Sequence, residues 1–220
     1  MPVKPEISER LWSIAAAARY HRGVIVGLVL GAGASRRLGL PKQTLPMGDT
    51  TLLGWVVRDV ERSSLDRVVV VVDPATRLAL PGLSEGRSVL VEPSAAGDGC
   101  SASLRAGIEA AGECEARVLL LGDMPGVDAG VIDPICVEWR KLRPWGMVTR
   151  YQDGLGHPFV FSAAAVPELR SLHGDKAVWK LVDRGGERVA EWTMPRPRPR
   201  DVDSREDYRA VLAAFLPGLA

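Results

Sequence analysis

The chain has no excess charge of either sign. Its 28 Lys and Arg nearly cancel its 27 Asp and Glu, for a formal net charge of +1. A nucleic-acid-binding domain shows a basic footprint, and that footprint is missing. Cysteine pairs are lacking as well. Cys100, Cys114 and Cys136 are an odd number with no C-x-x-C spacing, which excludes a disulfide framework and a zinc ribbon. Free thiols fit a reducing, cytoplasmic setting. No apolar run approaches the ~20 residues of a membrane span. The short stretch Ile14 to Ala18 is too brief for a signal core, and Glu6 and Glu9 stand where such a segment would be basic. Internal repeats are absent, and PRPRPR at 195–200 is the only low-complexity piece. Proline cannot donate ladder hydrogen bonds, so that piece reads as a stiff surface or edge segment.

What remains is an ordinary globular composition, 46% hydrophobic and 25% charged over 220 residues, enough for one large α/β domain. Residues 8–21 read as a helix ahead of the main fold, capped by Ser8, so 1–22 is expected to be a helical extension and 23–220 a single domain. From residue 24 onward, strand-like and helix-like segments alternate. Val24 to Leu30 is almost wholly apolar, as a buried parallel strand should be. Helical spacing marks Thr51 to Arg62, Ser101 to Ala111, a stretch from the cap Asp128 to about Leu142, Pro167 to Leu172, Lys176 to Asp183 and Ser204 to Phe215. Val68 to Val72, Ser88 to Val91, Val118 to Leu121, Met147 to Tyr151, Phe159 to Phe161 and Val189 to Thr193 read as strands. A Gly-rich loop is expected between Tyr151 and Phe159. Alternation of this kind calls for a mostly parallel sheet with helices on both faces.

In such a sheet, ligands sit beyond the carboxyl ends of the strands. The loop after the first strand runs Leu30-Gly31-Ala32-Gly33-Ala34-Ser35-Arg36-Arg37-Leu38-Gly39-Leu40-Pro41-Lys42. Glycines let the backbone approach a ligand and expose N–H groups to phosphate. Arg37 and Lys42 add two cations, which suits a nucleoside triphosphate. A dinucleotide fingerprint needs a third Gly where Arg36 stands, and a Walker loop needs Gly-Lys-Ser/Thr where Pro41-Lys42-Gln43 stands. A plain strand-to-helix turn with surface cations is the alternative.

This loop resembles the signature of the MobA-like nucleotidyltransferases, and within them the molybdenum cofactor cytidylyltransferases. The resemblance covers roughly residues 24–213. It implies a three-layer, Rossmann-like fold of the GT-A type, with a mostly parallel mixed sheet. It also implies that Leu30, Gly31, Ala32 and Gly33 cradle the triphosphate, with Arg37 and Lys42 neutralising it and the departing pyrophosphate. Ala32 stands where cytidylyl-transferring members have Ala and guanylyl-transferring ones tend to have Gly, which points to CTP. Gly31 departs from the more usual Ala. Gly99 and Ser103 match the family's G-x-x-x-S near the nucleobase, although Ser103 could instead cap its own helix.

Asp123, in Gly122-Asp123-Met124-Pro125, follows a buried strand and would face the same crevice as the first loop. The resemblance marks Asp123 and Asp203 as ligands of Mg2+, or of Mn2+ in its place, and Asp123 as catalytic with Arg37 and Lys42. A turn or helix cap is the plainer role for either carboxylate. Gly154-Leu155-Gly156-His157-Pro158 resembles the family's G-H-P, which puts His157 on the acceptor side, bonding a phosphate or pterin group, or else fixing a turn. Lys176 is similarly placed, or is a solvated surface Lys. The implied reaction is transfer of CMP from CTP to the phosphate of a molybdopterin-type cofactor, whose client would be a molybdoenzyme. Guanylyl transfer, a sugar- or alcohol-phosphate acceptor, and a non-catalytic cofactor carrier are the alternatives.

Overall fold

A computed structural model describes residues 23–33, 40–80, 87–93, 99–174 and 176–218. The helix expected over 8–21, and Arg37, lie outside the described residues.

Nine strands are described. They are β1 (Ile25–Leu30), β2 (Pro46–Met47), β3 (Thr50–Thr51), β4 (Arg67–Val71), β5 (Ser88–Val91), β6 (Ala116–Leu121), β7 (Gly146–Tyr151), β8 (Gly154–Ser162) and β9 (Val189–Thr193). Seven of them form one sheet in the order β5-β4-β1-β6-β8-β7-β9, while β2 and β3 make a small separate hairpin. Only β8 runs against its neighbours; β1, β4, β5 and β6 are mutually parallel, as are β7 and β9. The fold is thus the mixed, mostly parallel α/β sheet that the alternation called for.

Helices cover both faces. On one side lie α1 (Leu52–Glu61) and, later in the chain, α4 (Ala129–Leu142). Their apolar stripes, Leu53, Val56, Val57 and Val60 with Val131, Ile132, Ile135 and Trp139, pack on Ile25, Val29, Val68, Val70, Val118 and Leu120. The short α2 (Pro74–Leu78) follows β4 and is capped by Asp73, which accepts from the Thr76 N–H at 2.9 Å. On the other face α3 (Gly99–Ala111), α5 (Val166–Arg170) and α6 (Ala177–Gly185) bury Leu104, Ile108, Leu169, Leu181 and Val182 against Val26, Leu28, Leu119 and Phe159. Successive strand residues alternate between the two clusters, as a pleat requires. The final helix, α7 (Arg205–Phe215), starts in a capping box in which Ser204 accepts from the Asp207 N–H and Asp207 accepts from the Ser204 N–H.

Two local expectations change. Asp128 precedes α4, but its side chain makes no cap hydrogen bond; its Oδ1 lies instead 3.7 Å from Arg196. The Gly-rich stretch before Phe159 is not a loop. Gly154 to Pro158 belong to β8, and the turn is only Gln152-Asp153. The ladder absorbs Pro158, which has no N–H to give, in a bulge. Val148 pairs with Phe159 and Thr149 with Gly156, leaving His157 and Pro158 between them. Among the described residues no helix is long and apolar enough to cross a membrane.

Candidate functional site

β1, β4 and β6 end side by side, and the chain leaving β1 and β6 is tied across them. The Gly31 N–H donates to Val71 O at 2.7 Å, and the Gly122 N–H donates to Leu30 O at 2.9 Å. Both positions are tight for a side chain, Gly122 the more so. A Cβ on Gly122 would fall 2.7 Å from Leu53 Cδ1 and 3.1 Å from the Gly31 Cα, and one on Gly31 would fall 3.0 Å from Leu53 Cδ2. Leu53 of α1 thus fills the volume behind both loops. Ala32 continues the loop, half-buried against the α3 side of the sheet. The Gln43 side-chain amide donates to Gly33 O at 3.5 Å and is itself buried.

Lys42 opens a short 3-10 turn and is 9% exposed. Its ammonium lies between two carboxylates. It makes a close ion pair with Asp123 and reaches Asp203 Oδ1 at 2.7 Å. Burial opposes a charge on Lys42, but Asp123 and Asp203 outweigh it and hold the ammonium above the ordinary lysine value. At Asp123 burial is the larger influence and pushes the carboxyl upward, against the pull of Lys42.

Asp203 is brought here by packing. Val202 is fully buried in a small cluster with Met47, Leu52 and Val211, which joins the β2–β3 hairpin to α7. Its N–H donates to Asp123 O at 3.0 Å. Residues 201–203 belong to no strand. Asp201 and Asp203 flank the buried Val202, and the Asp201 charge is felt at Asp123. The two carboxylates that the sequence singled out therefore do meet, with Lys42 between them.

A divalent cation fits this donor set. Two carboxylates from separate segments already share one cationic nitrogen, and Mg2+ needs only one or two carboxylates if water and phosphate complete its shell. Among the described residues no group of three or more His, Cys, Asp and Glu gathers to hold a metal by itself, so a metal here would rely on its substrate.

Gly99 begins α3. Ser103 is buried, one turn into the helix, where it is no longer a cap. Lys176 is exposed at the start of α6, with φ of 60°. His157 is 5% exposed, stacked on Phe159 at 4.1 Å between centroids and edge-on to Trp179. Its Nδ1 lies 3.2 Å from Leu119 O. A carbonyl only accepts, so Nδ1 carries the proton and Nε2 is left as an acceptor. Burial pulls this imidazole down to about 4, so it is neutral at physiological pH. Sequence reading missed Gln43, Leu53 and Val202. Gln43 follows Lys42 directly and was open to notice. The other two act through space or through the backbone and carry no motif.

With that geometry in hand, the comparisons agree on a relationship. Residues 27–189 match the family described as MobA-like NTP transferase domain. A curated protein of Opitutus terrae, described as a probable molybdenum cofactor guanylyltransferase, is 27% identical over 201 residues, covering 82% of this chain and 96% of its own. The crystal structure of a Mycobacterium sp. strain JC1 homologue of Rv0371c superposes with a TM-score of 0.78 at 37% identity, over 88% of this chain and 97% of that one. Rv0371c of Mycobacterium tuberculosis, in complex with manganese, does so with a TM-score of 0.72 at 37% identity, over 87% and 99%.

Proposed function

Since the chain belongs to the MobA-like NTP transferase family and so transfers nucleotidyl groups, we propose that it moves CMP from CTP to the phosphate of a molybdopterin-type cofactor. The observation that carries this reading is the Lys42 ammonium held between Asp123 and Asp203, beside the glycine loop that leaves β1. The acceptor class is supported by the relative described as a probable molybdenum cofactor guanylyltransferase.

An oxygen of the acceptor phosphate forms a bond to the α-phosphorus of the donor. The bond from that phosphorus to the α–β bridging oxygen breaks, and pyrophosphate leaves with the electron pair. A phosphate monoester is largely dianionic at neutral pH, so the chain need not supply a general base. Its work is alignment and charge neutralisation. The Gly31 N–H is taken by Val71 O, so the amides of Ala32 and Gly33 would face the triphosphate. Arg37 and Lys42 would meet the charge that grows on the leaving pyrophosphate, Lys42 by exchanging a carboxylate for a phosphate oxygen. Gly99 and Ser103 would border the base. Asp123 and Asp203 would hold Mg2+ or Mn2+, which when bound neutralises phosphate charge; the manganese complex of a relative supports that choice of ion.

Ala32 favours CTP. The name of the Opitutus relative favours GTP as a second reading, with fold and chemistry unchanged. Turnover with CTP, GTP, ATP and UTP, each with Mg2+ and a molybdopterin acceptor, tests both. Pyrophosphate release with CTP supports the first reading, release with GTP alone shifts the product to a guanine dinucleotide, and release with none of the four rejects the acceptor.

A further inference from the structure

The PRPRPR segment has so far no function, and the structure gives it a shape. It is strapped to the β7–β8 turn. The Gln152 N–H donates to Arg196 O at 3.1 Å, the Gln152 side-chain amide to Pro195 O at 3.3 Å, and the Arg198 N–H to Asp153 Oδ1 at 2.8 Å. Alternate prolines stiffen the strap, so its three arginines point in fixed and different directions. Arg196 turns inward to Gly126 O and toward Asp128. Arg200 pairs with Asp207 at 3.0 Å. Arg198 alone of the three has no carboxylate on its guanidinium among the described residues; Nη1 donates only to Leu155 O, at 3.2 Å.

The course of the Arg198 stem is also specific. It lies flat on β8 over Gly156, where a Cβ would come 2.7 Å from Arg198 Cδ and 3.0 Å from Tyr151 Cε2. Gly156 precedes His157, whose ring bonds Leu119 on β6, the strand that Gly122-Asp123 follow. Five residues beyond Arg198 the same strap delivers Asp203 to Lys42. An exposed guanidinium with donors to spare thus stands where β7 turns into β8, at the carboxyl edge of the sheet and on the strap that carries Asp203 to Lys42. The neighbouring His157, with its proton directed at Leu119 O, has no cationic N–H to offer a phosphate. Arginine is always charged and binds phosphate through two parallel N–H groups.

We infer that Arg198 grips the phosphate monoester of the acceptor, and that Gly156 is glycine so that the guanidinium can cross β8 to reach it. The inference rests on the proposed phosphate acceptor, but its test does not need the pterin. With the donor site saturated by Mg2+ and α,β-methylene CTP, inorganic phosphate is titrated by calorimetry onto wild type, Arg198→Ala, Arg198→Lys, Gly156→Ala and, as a charge control, Arg209→Ala. Arg198→Ala should weaken phosphate at least tenfold, Arg198→Lys and Gly156→Ala should weaken it less, and Arg209→Ala should leave it unchanged. Affinity for the nucleotide analogue should stay within twofold throughout. In turnover, Arg198→Ala should raise the acceptor KM at least tenfold and change kcat little. Phosphate binding within twofold of wild type in Arg198→Ala, or no phosphate binding by wild type, overturns the inference. If molybdopterin fails as acceptor while phosphate still depends on Arg198, the acceptor is a different phosphate monoester and the inference stands. If the analogue itself does not bind, the donor reading fails, and titration of the protein alone decides Arg198.

Discussion

Acid should destabilise this protein through His157. The imidazole is 5% exposed, packed between Phe159 and Trp179, and gives its proton to Leu119 O. No carboxylate supports a positive charge there; burial alone sets the direction, from 6.5 down to about 4. The sign follows from linkage. Below pH 6.5 the unfolded chain takes up a proton at this position and the folded chain does not, so stability is full above 6.5 and falls until about pH 4. At ~1.4 kcal/mol per tenfold change in proton affinity, the loss is about 2 kcal/mol by pH 5 and about 3 kcal/mol below pH 4. The perturbation is His157→Asn, whose side-chain amide can still donate toward Leu119 O but does not titrate. Urea denaturation of both proteins at pH 7.5 and pH 5 measures the difference. Wild type should lose about 2 kcal/mol more than the variant over that interval. Equal losses would refute the buried neutral imidazole, and with it the argument that phosphate recognition falls to another cation.

Other outcomes follow from the same geometry. Gly122→Ala puts a Cβ 2.7 Å from Leu53 Cδ1 and 3.1 Å from Leu30 O; it should cost about 1–3 kcal/mol by overpacking and weaken nucleotide binding, both read by calorimetry and denaturation. Lys42→Met leaves Asp123 and Asp203 without their shared ammonium. Thermal stability should fall by about 2 kcal/mol, at the low side for a broken buried pair because Asp203 is half exposed. Added Mg2+ or Mn2+ should raise the Tm of this variant more than that of wild type; an equal rise would mean that the carboxylates do not share the ion. Ser204→Ala removes one half of the capping box of α7 and should cost ~1 kcal/mol, with a smaller loss of metal affinity because the neighbouring Asp203 loosens.

The sheet was legible because its strands are buried on both faces. Ile25 to Leu30 and Ala116 to Leu121 are nearly continuous apolar runs, and a run of that kind has few other uses. The β2–β3 hairpin was not legible, because two residues per strand leave no period to detect. Gly154 to Pro158 misled for a physical reason. Glycine and proline punctuate chains, yet here one glycine makes room for Arg198 and the proline sits in a bulge. At the site, Asp123 and Asp203 could be named from motif positions. What could not be read was that Lys42 would join them, since that contact spans 161 positions and depends on Val202 being buried under α7.

The proposed reaction is nucleotidyl transfer to a phosphate acceptor through the Asp123 site. The most direct measurement is pyrophosphate release from CTP and Mg2+ with a molybdopterin acceptor, by wild type and Asp123→Ala side by side. Wild type should release pyrophosphate and form the cytosine dinucleotide, and the variant should lose at least about a hundredfold in rate, the scale of removing a main transition-state charge contact. Equal rates in the two proteins, or no release with any of the four nucleotides, would contradict it.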